Sequence, residues 1–340
     1  MLNSKRFNMV LPRPYAVQLL LVAAILLCLP PFVLSSLGDK SIPFQNYLRK
    51  CLIANCSSQD KLMHFEEVQP HYMQLLGWNC KEECKYHSMW NTVHHFIKHK
   101  LEVPQFYGKW PFIRILGIQE PASVIFSVLN GLANIYMIWR MRQRIPKKAP
   151  MCNIWQGYAM IASVAWVFST IFHARDVGWT EYLDYFAAFA LTITGLWTAC
   201  IRIFAYQRDS MNVKIAVPIT LVLLCIYVRH VYYLAKIHFD YGYNMKVNVI
   251  VGICMSLLWV SWSLYRIKRQ PYLWKTIATV IIGNLLVLLE LMDFPPLLWT
   301  FDAHSLWHAG TSPMPLLFFS FCIDDSLYLL QYSEGFKKGV

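Results

Sequence analysis

Phe301-Asp302-Ala303-His304-Ser305-Leu306-Trp307-His308 opens the last long apolar segment of a 340-residue chain. Four residues separate His304 from His308, so a helix places both imidazoles on one face, about 5–6 Å apart at Cβ. That is metal-chelating geometry, and it supplies half of a site. Asp302 stands where it can cap the amino end of that helix. Apolar segments of the same kind recur upstream. Seven spans are expected at roughly 121–142, 152–173, 182–204, 212–235, 244–265, 273–292 and 303–323, each able to cross a hydrocarbon core of roughly 30 Å. With 56% hydrophobic and 15% aromatic residues, the chain reads as an all-α membrane protein. Its predicted fold is seven transmembrane helices preceded by a small, disulfide-bearing luminal region.

The net charge of +12 does not point to nucleic acid, because the basic residues collect in alternate loops. Arg140, Arg142, Arg144, Lys147 and Lys148 follow the first span. Arg202, Arg208 and Lys214 follow the third, and Arg266, Lys268, Arg269 and Lys275 follow the fifth. The intervening loops carry mainly Arg175, Lys236 and Lys246 amid Asp176, Glu181, Asp240 and Asp293. This bias predicts a luminal amino terminus and a cytosolic carboxyl terminus.

The amino terminus agrees with that orientation independently. Lys5, Arg6 and Arg13 precede an apolar core from Ala16 to Leu29, and small residues end the stretch at Ser36 and Gly38. Residues 1–38 therefore read as a secretory signal peptide, with an uncleaved signal anchor as the other reading. Residues 39–120 form the luminal region. It carries the sequon Asn55-Cys56-Ser57, an N-glycosylation acceptor, and four cysteines, Cys51, Cys56, Cys80 and Cys84. An oxidising compartment favours disulfides over zinc ligation by Cys80 and Cys84, and four cysteines allow three pairings. His94, His95 and His99 read as surface residues of this region. Residues 121–323 make the transmembrane domain and 324–340 a cytosolic tail ending Lys337-Lys338-Gly339-Val340, either a dilysine-like retrieval signal or a solvated basic flank.

With this topology, His173 falls at the luminal end of the second span with Ser169 one turn deeper on the same face. Asp184 begins the third span on the luminal side, and His304 and His308 enter with the seventh. All five occupy one depth band, and ionisable groups within spans are functional by default. Three neutral imidazoles are a catalytic zinc set with a position left open. Asp184 can move a proton and Ser169 can donate to a developing oxyanion. Together these parts describe a hydrolase acting on acyl lipid at the luminal leaflet. Cation transport fits less well, since no acidic relay continues toward the cytosolic side. Glu290 and Asp293 have two readings, as outer partners of the histidines or as interfacial residues ending a helix before Pro295-Pro296.

Longer motifs carry a resemblance. Val103-Pro104-Gln105-Phe106-Tyr107-Gly108-Lys109-Trp110-Pro111-Phe112, Gln119-Glu120-Pro121-Ala122-Ser123, Phe239-Asp240-Tyr241-Gly242-Tyr243-Asn244 and Leu291-Met292-Asp293-Phe294-Pro295-Pro296 resemble the GPI-specific phospholipase family called post-GPI attachment to proteins factor 3. That family is similar in turn to seven-span hydrolases and receptors, among them alkaline ceramidases and the progestin and adipoQ receptors. Their shared pattern is a serine and a histidine four apart, an aspartate eleven residues on, and a late histidine pair four apart. Ser169, His173, Asp184, His304 and His308 match it position by position.

The resemblance implies a zinc-dependent hydrolase that removes the sn-2 acyl chain of the GPI lipid on GPI-anchored proteins, in the Golgi or endoplasmic reticulum membrane. Ser169 and Asp184 would be catalytic and His173, His304 and His308 the metal ligands. The alternatives are a ceramidase-like amide hydrolase and a non-catalytic seven-span receptor or scaffold for the traffic of GPI-anchored proteins.

Overall fold

The computed structural model describes residues 37–207 and 210–337. The signal-peptide reading of residues 1–38 falls almost entirely outside them, and so do Lys338, Gly339 and Val340. Among the described residues the regular structure is helical apart from two two-residue antiparallel strands, Tyr206–Gln207 against Ser210–Met211, and three isolated bridges. Its amino-terminal region holds α1 (Ile42–Asn55), α2 (Gln59–Val68), the single turn α3 (His71–Leu75) and α4 (Cys80–Lys98). Local chemistry starts these helices. The Ser41 hydroxyl accepts from the Phe44 N–H ahead of α1, and Asn79 and Glu82 form a reciprocal capping box on α4. Disulfides Cys51–Cys84 and Cys56–Cys80 join α1 to α4 with Cα separations of 5.6 and 5.9 Å. They leave a small region with a small core, Phe44, Val93 and Phe106, and covalent staples are what such a region needs.

Seven helical segments long and apolar enough to cross a membrane follow: Pro121–Arg144, Cys152–Ala174, Gly178–Ala205, Val213–Ile237, Tyr241–Arg266, Pro271–Glu290 and Ala303–Ser333. Their helices are α5 (Pro121–Arg144), α6 (Cys152–Ala174), α7 (Gly178–Cys200), α8 (Val213–Tyr232), α9 (Tyr241–Arg266), α10 (Trp274–Glu290), α11 (Ala303–Thr311) and α12 (Met314–Lys337), the last running past the seventh segment. The seventh differs from the expectation of 303–323 in two ways. It breaks between α11 and α12 at Ser312–Pro313, where Pro313 and Pro315 have no N–H to donate to the preceding turn, and it continues as helix to Lys337.

That extension has a buried anchor. Asp325, with no exposed surface, accepts a bidentate pair from Arg202 at 2.6 and 2.7 Å and a third bond from the Tyr272 hydroxyl at 3.0 Å. Lys275 holds the adjacent Asp324 at 2.6 Å. Between this end and the histidine end lies a core of Trp155, Trp259, Phe319, Phe321, Met137 and Met141. Removing one partner of a buried pair leaves the other as an uncompensated charge. Asp325→Ala is accordingly expected to destabilise the bundle by about 3–5 kcal/mol, read as a lowered midpoint of thermal unfolding in detergent, with Arg202→Ala close to it.

Candidate metal centre

At the other end of the bundle, α5, α6 and α11 bring three imidazoles together. His304 Nε2 lies 2.9 Å from His308 Nε2 and 3.3 Å from His173 Nε2, and the three ligand nitrogens sit within 4.8 Å of one another. His173 and His308 are each 2% exposed, whereas the side chain of His304 is about one-third exposed, so the cluster opens past His304. The Asp302 carboxylate starts α11 by accepting from the Ser305 N–H at 2.8 Å, which sets the register of the His304–His308 pair. Burial pushes the Asp302 carboxyl above its ordinary value.

Each ring is held from behind. His173 Nδ1 donates to Glu120 Oε2 at 2.6 Å, and His304 Nδ1 donates to both oxygens of Glu290 at 2.8 and 3.0 Å. His308 Nδ1 lies 3.0 Å from Ser127 Oγ. A carboxylate only accepts, so the Nδ1 atoms of His173 and His304 carry protons, and each ring turns its Nε2 toward the others. Three nitrogens converging within 4.8 Å offer a cation one common position. Three imidazoles with anchored Nδ1 atoms are the donor set of a zinc site, and carboxylate-backed histidines are its usual support. The residues present therefore fit a metal.

The backing extends into the amino-terminal region. Lys109 Nζ donates to Glu120 Oε1 at 2.6 Å and to Asp176 Oδ2 at 2.9 Å, forming a chain Asp176–Lys109–Glu120–His173. Burial works against both charges of the Lys109–Glu120 pair, but each partner outweighs it. The carboxyl is held well below the usual carboxylate range and the ammonium well above its own.

The five residues singled out in the sequence come together unequally. The histidines converge directly. Ser169, 6% exposed, reaches the cluster through Ser127, with the two hydroxyl oxygens 3.2 Å apart. Asp184 stands on the first turns of α7, within electrostatic reach of His173 and His304, and takes no hydrogen bond from the described residues. Glu290 is an outer partner of His304. Asp293 is not; it accepts from Gln105 Nε2 at 3.0 Å and Trp110 Nε1 at 2.8 Å and so pins the loop before α11 to the amino-terminal region. In that loop Leu298 and Trp299 adopt left-handed φ of 54° and 57°, a costly conformation for such residues. Trp299 is held there by edge-on contact with Trp90, 5.4 Å between centroids.

Glu120, Lys109, Ser127 and Asn130 were absent from the residues singled out as functional. Asn130 donates to the carbonyl of His308 at 2.8 Å. A signal for two of them exists in α5, where Ser123, Ser127, Asn130 and Asn134 recur at helical spacing as a buried polar stripe in an apolar span. The outer partners give a graded prediction. Glu290→Gln replaces an obligate acceptor with an amide and should weaken metal binding about 10–100-fold by chelator competition, with unchanged helical circular dichroism.

Comparison with known proteins assigns the chain to a family. The profile of the Per1-like family matches residues 70–326. A Bos taurus protein named GPI-specific phospholipase A2-like PGAP3 is 44% identical over 303 residues, 89% of this chain and 93% of its own. The Homo sapiens protein of that name is 43% identical over 299 residues, 88% and 92% of the two chains. The Drosophila melanogaster post-GPI attachment to proteins factor 3 is 37% identical over 318 residues, 92% and 94%. No solved structure matches. A seven-span bundle with three backed histidines at one end, matched over most of its length by these relatives, belongs to the Per1-like family.

Proposed function

We propose that this chain is a metal-dependent lipid hydrolase that removes the sn-2 acyl chain of the GPI lipid on GPI-anchored proteins. The observation that carries the reading is the convergence of three Nε2 atoms, two of them on rings whose Nδ1–H is held by a carboxylate. The names of the relatives support the substrate class. A metal bound by His173, His304 and His308, zinc by donor type, supplies Lewis acidity and a water acidic enough to ionise near neutral pH.

The chain's own residues supply the rest. Glu120 and Glu290 hold two rings with Nε2 turned inward. Water adds to the acyl carbonyl carbon, and the half-buried Asp184 carboxylate accepts the proton released. As the acyl C–O bond breaks, Asp184 returns that proton to the departing sn-2 oxygen, giving a fatty acid and a lyso-lipid. Ser169 Oγ–H donates to the carbonyl oxygen while negative charge builds on it.

In this reading the histidine end and residues 39–120 are luminal, the carboxyl end is cytosolic, and the protein resides in the Golgi or endoplasmic reticulum membrane. The exposed position of Asn55 is compatible with a glycan there. The deciding experiment is mass spectrometry of GPI lipids on anchored proteins from cells lacking this protein, rescued with wild type or with His308→Ala. Loss of the sn-2 acyl chain is expected with wild type alone. Identical lipids from both rescues would overturn the reading in favour of a receptor or scaffold.

A further inference from the structure

Beside the metal centre, between α4 and the loop before α5, lies a cavity lined by Lys85, Tyr107, Lys109, Trp110 and Asp176. Two further cations on its wall are already committed. Arg114 and Arg175 stack on the Trp78 ring at 3.4 and 3.6 Å and pair with Glu83 and Glu82 respectively. Lys109 is neutralised by two carboxylates. Lys85 differs: it is exposed, has no carboxylate partner among the described residues, and its ammonium lies over the Tyr107 ring, 4.9 Å from the centroid, as a cation–π contact.

The backbone that carries Tyr107 is fixed. Phe106 and Lys109 close a tight turn with bonds of 2.7 and 3.0 Å, and the Tyr107 N–H donates to Asp39 at 2.9 Å. Tyr107 holds a left-handed φ of 51° and remains 52% exposed. An unburied aromatic fixed at the mouth of a polar cavity is a preformed recognition surface rather than a packing residue.

We infer that this cavity binds the phosphorylated oligosaccharide head of the lipid substrate, an inference that rests on the lipid hydrolase reading for the nature of that lipid. Sugar rings stack their C–H faces on exposed aromatic rings, here Tyr107 with the half-buried Trp110. Their hydroxyls donate to carboxylates, here Asp176. A phosphate needs a cation with no carboxylate of its own, and Lys85 is that cation. A simple anion site would not need the aromatic pair, and an apolar peptide would not tolerate the charged wall. Lys109, on the cavity lining, is two hydrogen bonds from His173 through Glu120. A head bound there lies beside the centre that cleaves its lipid.

Binding and cleavage can be tested separately on the purified, metal-loaded full chain. The binding probe is the soluble inositol phosphoglycan released from GPI by a phosphatidylinositol-specific phospholipase C, with inorganic phosphate as the control. Lys85→Gln and Tyr107→Asn are the variants; the first is a surface helix position and the second keeps a residue type tolerant of positive φ. Saturable binding of the phosphoglycan, weakened about tenfold or more by either variant, is expected. In cleavage assays KM for intact GPI should rise by the same factor with kcat retained, and phosphatidylinositol lacking the glycan should be processed equally by wild type and Tyr107→Asn, because the Tyr107 ring meets only the glycan. Absence of phosphoglycan binding, or binding matched by phosphate alone, overturns the inference. Phosphoglycan binding without cleavage of either lipid by wild type overturns the hydrolase reading and leaves the cavity assignment standing.

Discussion

Purified His308→Ala protein is expected to emerge with almost no bound metal and with acyl hydrolysis reduced by about a thousandfold or more, since removing one of three protein ligands abolishes a site that supplies several kcal/mol of transition-state stabilisation. The variant is a clean test because His308 does two separable things. Its ring offers Nε2 to the cluster, 2.9 Å from its neighbour, and its backbone carbonyl accepts from Asn130. Substitution by alanine removes the first and leaves the second, so the α5–α11 contact persists. Ser127→Ala provides the graded comparison. It deletes only the hydroxyl behind Nδ1, so metal affinity should fall about 10–100-fold while the stoichiometry at saturating metal stays near that of wild type. Metal content is read by elemental mass spectrometry and activity by release of fatty acid. Full metal occupancy in His308→Ala would mean that the three imidazoles are not the ligands, whatever the activity shows.

Asp184→Asn has the second largest expected effect, a loss of about 10²–10⁴ in kcat with the metal retained. The carboxylate is near the histidines without being hydrogen-bonded to them, so its loss removes a proton carrier and disturbs no ring. Asparagine keeps the volume and polarity and cannot accept a proton at neutral pH. Ser169→Ala tests the neighbouring role. A hydroxyl that donates to a developing oxyanion should cost about 10²–10³ in kcat when removed. A hydroxyl that only supports Ser127 behind His308 should instead weaken metal binding, because the 3.2 Å Ser127–Ser169 contact is the sole link between Ser169 and the rings among the described residues. Measuring kcat at saturating metal separates the two. An Asp184→Asn enzyme of undiminished kcat would remove the aspartate from the proton transfer.

Much of this architecture was legible in the residues. Seven apolar segments announce seven helices because a continuous apolar run of about 20 residues satisfies its backbone within a bilayer only as a helix. The i, i+4 spacing of His304 and His308, and of Ser169 and His173, places each pair on one helical face without any tertiary information. Four cysteines in one polar region declared disulfides but not which ones. Pairing depends on Cα separations near 5.6–5.9 Å, which exist only once α1 lies against α4.

Only the tertiary structure decided how the histidines are supported. Glu120 is separated from His173 by 53 residues and Glu290 from His304 by 14, and no periodicity relates residues on different helices. Glu290 and Asp293 look alike in sequence, two acids ending a span, yet one backs a ligand and the other fastens a loop. The direction each leaves the end of α10 separates them, and that direction is set by the fold of the 291–302 loop against Trp90. The linear pattern determined which side chains share a helical face and at what depth, because helical geometry is local. Which face meets which was decided by packing between distant segments, and with it the carboxylates that turn three histidines into a candidate metal centre.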